Sequence, residues 1–322
     1  MDHAKGPRDV TSVLKDDLRD WLLDSDPSIR WQVMRDLLDA PPDEVAAERA
    51  RVAREGWGAR LLELQDPEGT WAGDVYNPPY RGVTFTLDLL QRLGIDPDAE
   101  ETRRAIGKVH HLRADIWGGD PFFAGETEPC VNGRILSSAA YFGELDHADR
   151  ILQRLLADEL DDGGWNCEAP DHSRVSSLDT TICVLEGYLE YERAVGETPE
   201  TIEARRRAEE YLLERRLYRR KSTGEVIDQQ FVNFGFPPQY FYDVLRGLEY
   251  FRATGRQPEE RMREAIDLVR QKRQDDGRWL LDTRYREWGG LFFLLDAEKG
   301  EPSRWNTLRA LRVLRWAEAA GF

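Results

Sequence analysis

The stretch Leu160–Cys167 reads LDDGGWNC. Two acids, two glycines and a tryptophan describe a tight turn with a large ring anchored in it. The same turn recurs as QDPEGTWAGD at Gln65–Asp74, RADIWGGD at Arg113–Asp120 and QDDGRWLLD at Gln274–Asp282. Each copy follows an amphipathic helical pattern and precedes another helical segment after a loop of variable length. Such self-similarity marks a repeat architecture, in which stacked supersecondary units bury one continuous core.

The segments after the turns also resemble one another. They are TFTLDLLQRLG (Thr84–Gly94), NGRILSSAAYFGE (Asn132–Glu144), LDTTICVLEGYLEYERAVG (Leu178–Gly196), YFYDVLRGLEYFRATG (Tyr240–Gly255) and WNTLRALRVLRWAEAAG (Trp305–Gly321), with IRWQVMRDLL (Ile29–Leu38) as a sixth. Most close on a glycine suited to a left-handed helix cap. Apolar residues cover much of their circumference, as expected of helices buried on both sides. Glu203–Leu217 and Glu259–Gln274 are instead charged on most faces, with one apolar stripe. Alternating outer and inner helices predict an all-α fold, an α/α toroid of five or six helical hairpins. It is expected to be a single domain over residues 1–322, with residues 1–17 as a tail. An open solenoid uses similar hairpins and is the competing architecture. Strand signals are scarce.

The Asp-Gly-x-Trp turns resemble the QW-type repeats of the squalene cyclase and protein prenyltransferase superfamily, from about Trp57 to the C-terminus. SLDTTICVLEGYLEY (Ser177–Tyr191) and PSRWNTLRALRVLRW (Pro302–Trp316) are most similar to bacterial single-domain prenyltransferase and squalene oxidase repeat proteins. The resemblance implies a terpenoid-cyclase-like toroid acting on an apolar, isoprenoid-type substrate in a central aromatic-lined cavity. Cyclases of this superfamily carry an Asp-x-Asp-Asp acid at the start of an inner helix. The corresponding place here is Ser176-Ser177-Leu178-Asp179, where only the last aspartate is present. Prenyltransferases of the superfamily hold zinc through Asp, Cys and His, and related lanthipeptide cyclases use two Cys and one His. The ligand types occur here without the spacing of either family.

Loops entering inner helices are long, which is where function usually sits. Cys130 and Cys167 precede inner helices of consecutive repeats, so a closed ring brings them to the same end. With His172 and Asp179 nearby in sequence they form a candidate zinc site, three ligands leaving one position open. Cys183 lies mid-helix and reads as core. Asp179 and His172 are the candidate catalytic residues. Candidate substrate-binding residues are Trp71, Tyr76, Tyr80, Phe123, Asn132, Phe234, Phe236, Tyr240, Arg284 and Trp305. The aromatic run FVNFGFPPQYFY (Phe231–Tyr242) leads into an inner helix and is suited to a pocket wall. Arg81, Arg284 and Arg304 near these junctions suit an anionic group. The turn tryptophans Trp71, Trp117, Trp165 and Trp279 read as scaffold because they recur, and so do the acids Asp161 and Asp162.

Of the 322 residues, 33% are charged, and the net charge is −16. That charge opposes nucleic-acid binding. Three cysteines are not a disulfide framework. The polar N-terminal stretch lacks the apolar centre of a signal peptide, so a cytoplasmic location is expected. Three function classes follow: an enzyme on an isoprenoid-like substrate with Asp179 as acid, a zinc enzyme built on Cys130 and Cys167 with His172 or Asp179, and a non-catalytic toroid binding a lipid, peptide or glycan.

Overall fold

The recurring turn sets the geometry of the chain. In a computed structural model describing residues 15–114, 118–126, 128–285 and 290–322, three copies close in the same way. The amide of the residue five before the tryptophan donates to the carbonyl of the residue just before it: Asp66 to Thr70, Leu160 to Gly164, Gln274 to Arg278. Gly69, Gly163 and Gly277 take φ of +98°, +90° and +87°, a region open to glycine without strain. Each tryptophan is fully buried and donates Nε1–H to a carbonyl ten residues back: Trp71 to Leu61 (2.7 Å), Trp165 to Leu155 (2.7 Å) and Trp279 to Val269 (2.8 Å). The ring thereby ties the loop to the helix before it. Trp117 lies outside the described residues.

The helices are α1 (Asp16–Leu23), α2 (Pro27–Asp36), α3 (Pro42–Ala50), α4 (Gly56–Glu63), α5 (Val83–Leu93), α6 (Glu100–His110), α7 (Pro129–Phe142), α8 (Ala148–Ala157), α9 (Leu178–Val195), α10 (Pro199–Glu214), α11 (Val244–Ala253), α12 (Arg263–Gln271) and α13 (Arg304–Ala319). Two two-residue strands, β1 (Arg113–Ala114) and β2 (Asp120–Pro121), pair antiparallel. α1 begins at Asp16, inside the stretch expected as a tail.

Helices α2, α5, α7, α9, α11 and α13 form the inner ring and bury residues on nearly every face. α6, α8 and α12 bury a single stripe and lie outside. Side-chain caps start the inner helices: Ser177 accepts from the Thr180 amide, Asp243 from Arg246 and Ser303 from Asn306. The closest packing in the ring is between α7 and α9. A methyl on Gly133 would sit 2.6 Å from the Cys183 carbonyl, and one on Gly187 would meet the Gly133 carbonyl, so the backbones touch without side chains between them.

The ring closes, which excludes the open solenoid. α13 packs on α2, and arginines fasten the seam. Arg304 donates to the carbonyls of Trp21 and Asp24, both at 3.0 Å. Arg312 donates to Gln32 at 2.9 Å and Arg315 to the Asp36 carbonyl at 2.8 Å. Between α2 and α5, Trp31 donates to the Leu93 carbonyl at 3.0 Å. No helix among the described residues is long and apolar enough to cross a membrane.

Candidate functional site

The loops that precede α5, α7, α9 and α11 all open at the N-terminal ends of the inner helices, which form one mouth of the ring. The sulfurs of Cys130, in the first turn of α7, and Cys167, in the loop before α9, come together there with a carboxylate oxygen of Glu128. The three ligand atoms lie within 4.8 Å of one another, the only such cluster of His, Cys, Asp and Glu groups among the described residues. Thr180 Oγ1 donates to Cys167 Sγ at 3.4 Å. The hydrogen bond from Cys130 draws the Cys167 thiol below its usual range against the opposing effect of burial, and Thr180 adds to it. That same bond, with burial, pushes Cys130 well above its usual range. The two thiols are therefore unequal, Cys167 the more acidic of the pair, and Glu128, raised by burial and by Glu126, stands next to them.

Glu128 carried no repeat signature. Its spacing of two from Cys130, across the start of a helix, was the signal available. His172 is exposed and outside the cluster, because its loop turns into solvent after Glu168, whose carbonyl accepts the His172 amide. Asp179 is also outside it. Its carboxylate accepts the Tyr242 amide at 2.6 Å, which fastens the loop before α11 onto α9. Burial raises its pKa to about 6, although the Tyr242 amide and Arg246 pull the other way.

Aromatic rings adjoin the thiols. Burial, and secondarily Cys130 nearby, pushes the Tyr76 hydroxyl well above its usual range. Tyr76 packs on Phe85 at 5.1 Å, and Tyr80 on Phe85 at 5.6 Å and Tyr240 at 6.3 Å. Tyr80 and Gln239 hold φ of +72° and +54° although neither is glycine, two of the strained backbone positions of the chain.

The stretch Phe231–Tyr242 enters the ring and occupies part of the expected hollow. Phe236 stacks on Trp305 at 4.1 Å, the Gln239 carbonyl accepts Arg134 from α7, and the Phe234 carbonyl accepts Asn306 from α13. Beneath this plug lies a layer of ion pairs. Glu186 takes a two-point bond from Arg246 (2.9 and 2.7 Å) and a third from Arg92 at 2.8 Å. Asp88 pairs with Arg92 and Arg134 at 3.0 and 3.1 Å, and Glu249 is held by Arg309 and Arg312. Burial would raise the carboxyls of Asp88 and Glu186, but the neighbouring guanidiniums outweigh it and hold both below their usual range. On the far side of the layer is a cavity of about 380 Å³, lined by both charged and aromatic side chains, including Phe236 and Trp305.

The other expected binding residues have structural partners. Trp71 serves its turn. Phe123 packs edge-on to Phe122 at 5.0 Å, beside a surface recess near His110 and His147. Asn132 is buried and holds residue 126 through both its amide and carbonyl. Phe234 is buried under Lys272, Arg284 pairs with Glu298, and Arg304 is consumed by the seam. Asp162 accepts from Ser176, in keeping with a scaffold role.

No known protein family's profile matches this chain, and no curated protein matches it. Solved structures do. A polysaccharide lyase aligns over 96% of this chain and 96% of its own, at 12% identity and a TM-score of 0.50. The type II terpene cyclase MstE from Scytonema aligns over 90% of this chain and 86% of its own, at 16% identity and a TM-score of 0.44. A protein from Actinoplanes aligns over 92% and 91%, at 15% and 0.43. The chain shares the fold of the polysaccharide lyase. At these identities nothing further transfers.

Proposed function

We propose that this chain is an enzyme working at the N-terminal mouth of the helical ring, where Cys130, Cys167 and Glu128 hold a zinc ion beside the aromatic wall of Tyr76, Tyr80 and Tyr240. One observation carries this reading: two cysteines from different loops place their sulfurs, with a carboxylate oxygen, within 4.8 Å of one another. Two thiolates and a carboxylate suit zinc, and three protein ligands leave a fourth position for water or substrate. Zinc bound there would activate a water or a substrate thiol. The protein's own share is to make Cys167 more acidic through Cys130 and Thr180, to position Glu128 and Cys130 across the start of α7, and to offer rings to an apolar, isoprenoid-type substrate.

Metal analysis of the purified full chain tests this. Near-stoichiometric zinc is expected, lost in Cys167→Ala and weakened in Glu128→Gln. A chain purified with zinc in its medium that carries no metal would end the proposal. A second reading is favoured by the pKa of Asp179, about 6: a carboxyl still partly protonated near neutrality can serve as a proton donor to an apolar substrate. Under that reading Asp179→Asn abolishes turnover while Cys167→Ala spares it. The zinc reading requires Cys167→Ala to abolish it.

A further inference from the structure

The cavity beyond the ion-pair layer is lined by eight arginines and only four carboxylates among the described residues, in a chain of net charge −16. Most of those guanidiniums are occupied. Arg92 bridges Asp88 and Glu186, Arg309 and Arg312 share Glu249, and Arg49 donates to the Gly94 carbonyl at 2.9 Å.

Arg252, near the end of α11, is not. Its Nε is buried with no hydrogen-bond partner. Burial lowers its pKa to about 10, and Arg312 and Arg35 on the facing wall push it the same way. The carboxylates that reach it are Glu249, one turn earlier on the same helix, and Asp36 on α2, and both are already engaged: Glu249 as above, Asp36 by Arg35 and Arg312. Three guanidiniums thus converge on two carboxylates that have other partners. A desolvated, unpaired cation is costly, and the cost falls when an anion joins it. The rim is wet, since the side chains of Arg35 and Arg193 are 48% and 49% exposed. Arg35 lies 4.4 Å over the buried Trp31 ring, which holds its guanidinium at the entrance.

We propose that this cavity binds a small, multiply charged oxyanion, of the phosphate or polycarboxylate class, with Arg252 as its anchor and Arg35 and Arg312 flanking it. A single carboxylate would leave most of the excess positive charge unanswered. Two or more closely spaced anionic groups match converging guanidinium forks. The volume admits a ligand of ordinary metabolite size. The ion-pair layer and the plug separate this site from Cys130 and Cys167, so the inference stands apart from the zinc proposal.

Calorimetric titration of the full chain with inorganic pyrophosphate and, separately, with citrate at constant ionic strength tests it. Saturable one-to-one binding of at least one of them is expected, and which arm binds tells phosphate from polycarboxylate. Arg252→Gln removes a half-buried charge without an ion-pair partner and should fold at least as well as the parent. It should weaken binding at least about tenfold and abolish the ligand's upward shift in melting temperature. Absence of saturable binding by both anions, or equal binding by the parent and Arg252→Gln, overturns the proposal.

Discussion

Glu186→Gln tests whether the ion-pair layer holds the ring together from within. Glu186 joins α9 to α5 and to α11 through Arg92 and Arg246. Arg246 is the more deeply buried partner, with its side chain 2% exposed against 22% for Glu186. Glutamine keeps the shape but removes the charge, so Arg246 loses its ion-pair partner and Arg92 keeps only Asp88. Breaking a buried pair from one side costs about 3–5 kcal/mol. At about 2 °C per kcal/mol for a large domain, the melting temperature should fall by roughly 6–10 °C. Urea unfolding followed by circular dichroism reads the same difference as a shift in midpoint at constant slope. The sign of the pH dependence is a second check. The folded carboxyl is held below its ordinary 4.5 by Arg246 and Arg92, once their pull exceeds the cost of burial. Its stabilisation is therefore complete above pH 4.5 and is lost as the pH falls toward the folded value. The gap between parent and variant should be constant from neutrality to about that pH and narrow below it. An unchanged melting temperature, or a gap that does not narrow in acid, would refute the reasoning.

Three further outcomes are expected. Asp179→Asn should raise stability at neutral pH by up to ~3 kcal/mol, because the folded carboxyl titrates at about 6 against an ordinary 3.8. The stabilisation present below 3.8 is lost as pH rises through 6, and the asparagine variant should lack that decline in thermal melts. A variant less stable than the parent at neutral pH contradicts this. Gly187→Ala puts a methyl against the Gly133 carbonyl where two backbones meet. It should cost about 1–3 kcal/mol or more by forcing α7 and α9 apart, and unfolding at parental denaturant concentration would show that the contact can relax. Trp165→Phe removes the 2.7 Å bond to the Leu155 carbonyl and should cost about 1–3 kcal/mol. Hydrogen exchange should then rise first at the end of α8.

Much of the fold was legible because its unit repeats. Gly69, Gly163 and Gly277 need left-handed backbone and the tryptophans need a buried carbonyl, so the same residues return at the same offsets. The inner helices could be recognised from their all-round apolar character. That Cys130 and Cys167 meet followed from adjacency of consecutive hairpins in a closed ring. Which third group joins them did not, since His172 and Asp179 are closer to Cys167 in sequence but turn away from it, while Glu128 is placed by the first turn of α7. The ion-pair layer does carry a sequence signal: Asp88, Arg134, Glu186, Arg246 and Arg309 interrupt otherwise apolar inner helices. Each is intelligible only opposite its partner on another helix.

Local chemistry written along the chain thus determined the turns, the helices and their inner or outer rank, because these depend on backbone angles and on the spacing of apolar residues within one segment. The filling of the ring was decided in three dimensions. Whether Phe231–Tyr242 lines a hollow or plugs it, and whether Arg252 finds a counterion, depends on distances between segments far apart in sequence, set by the closure of α13 onto α2.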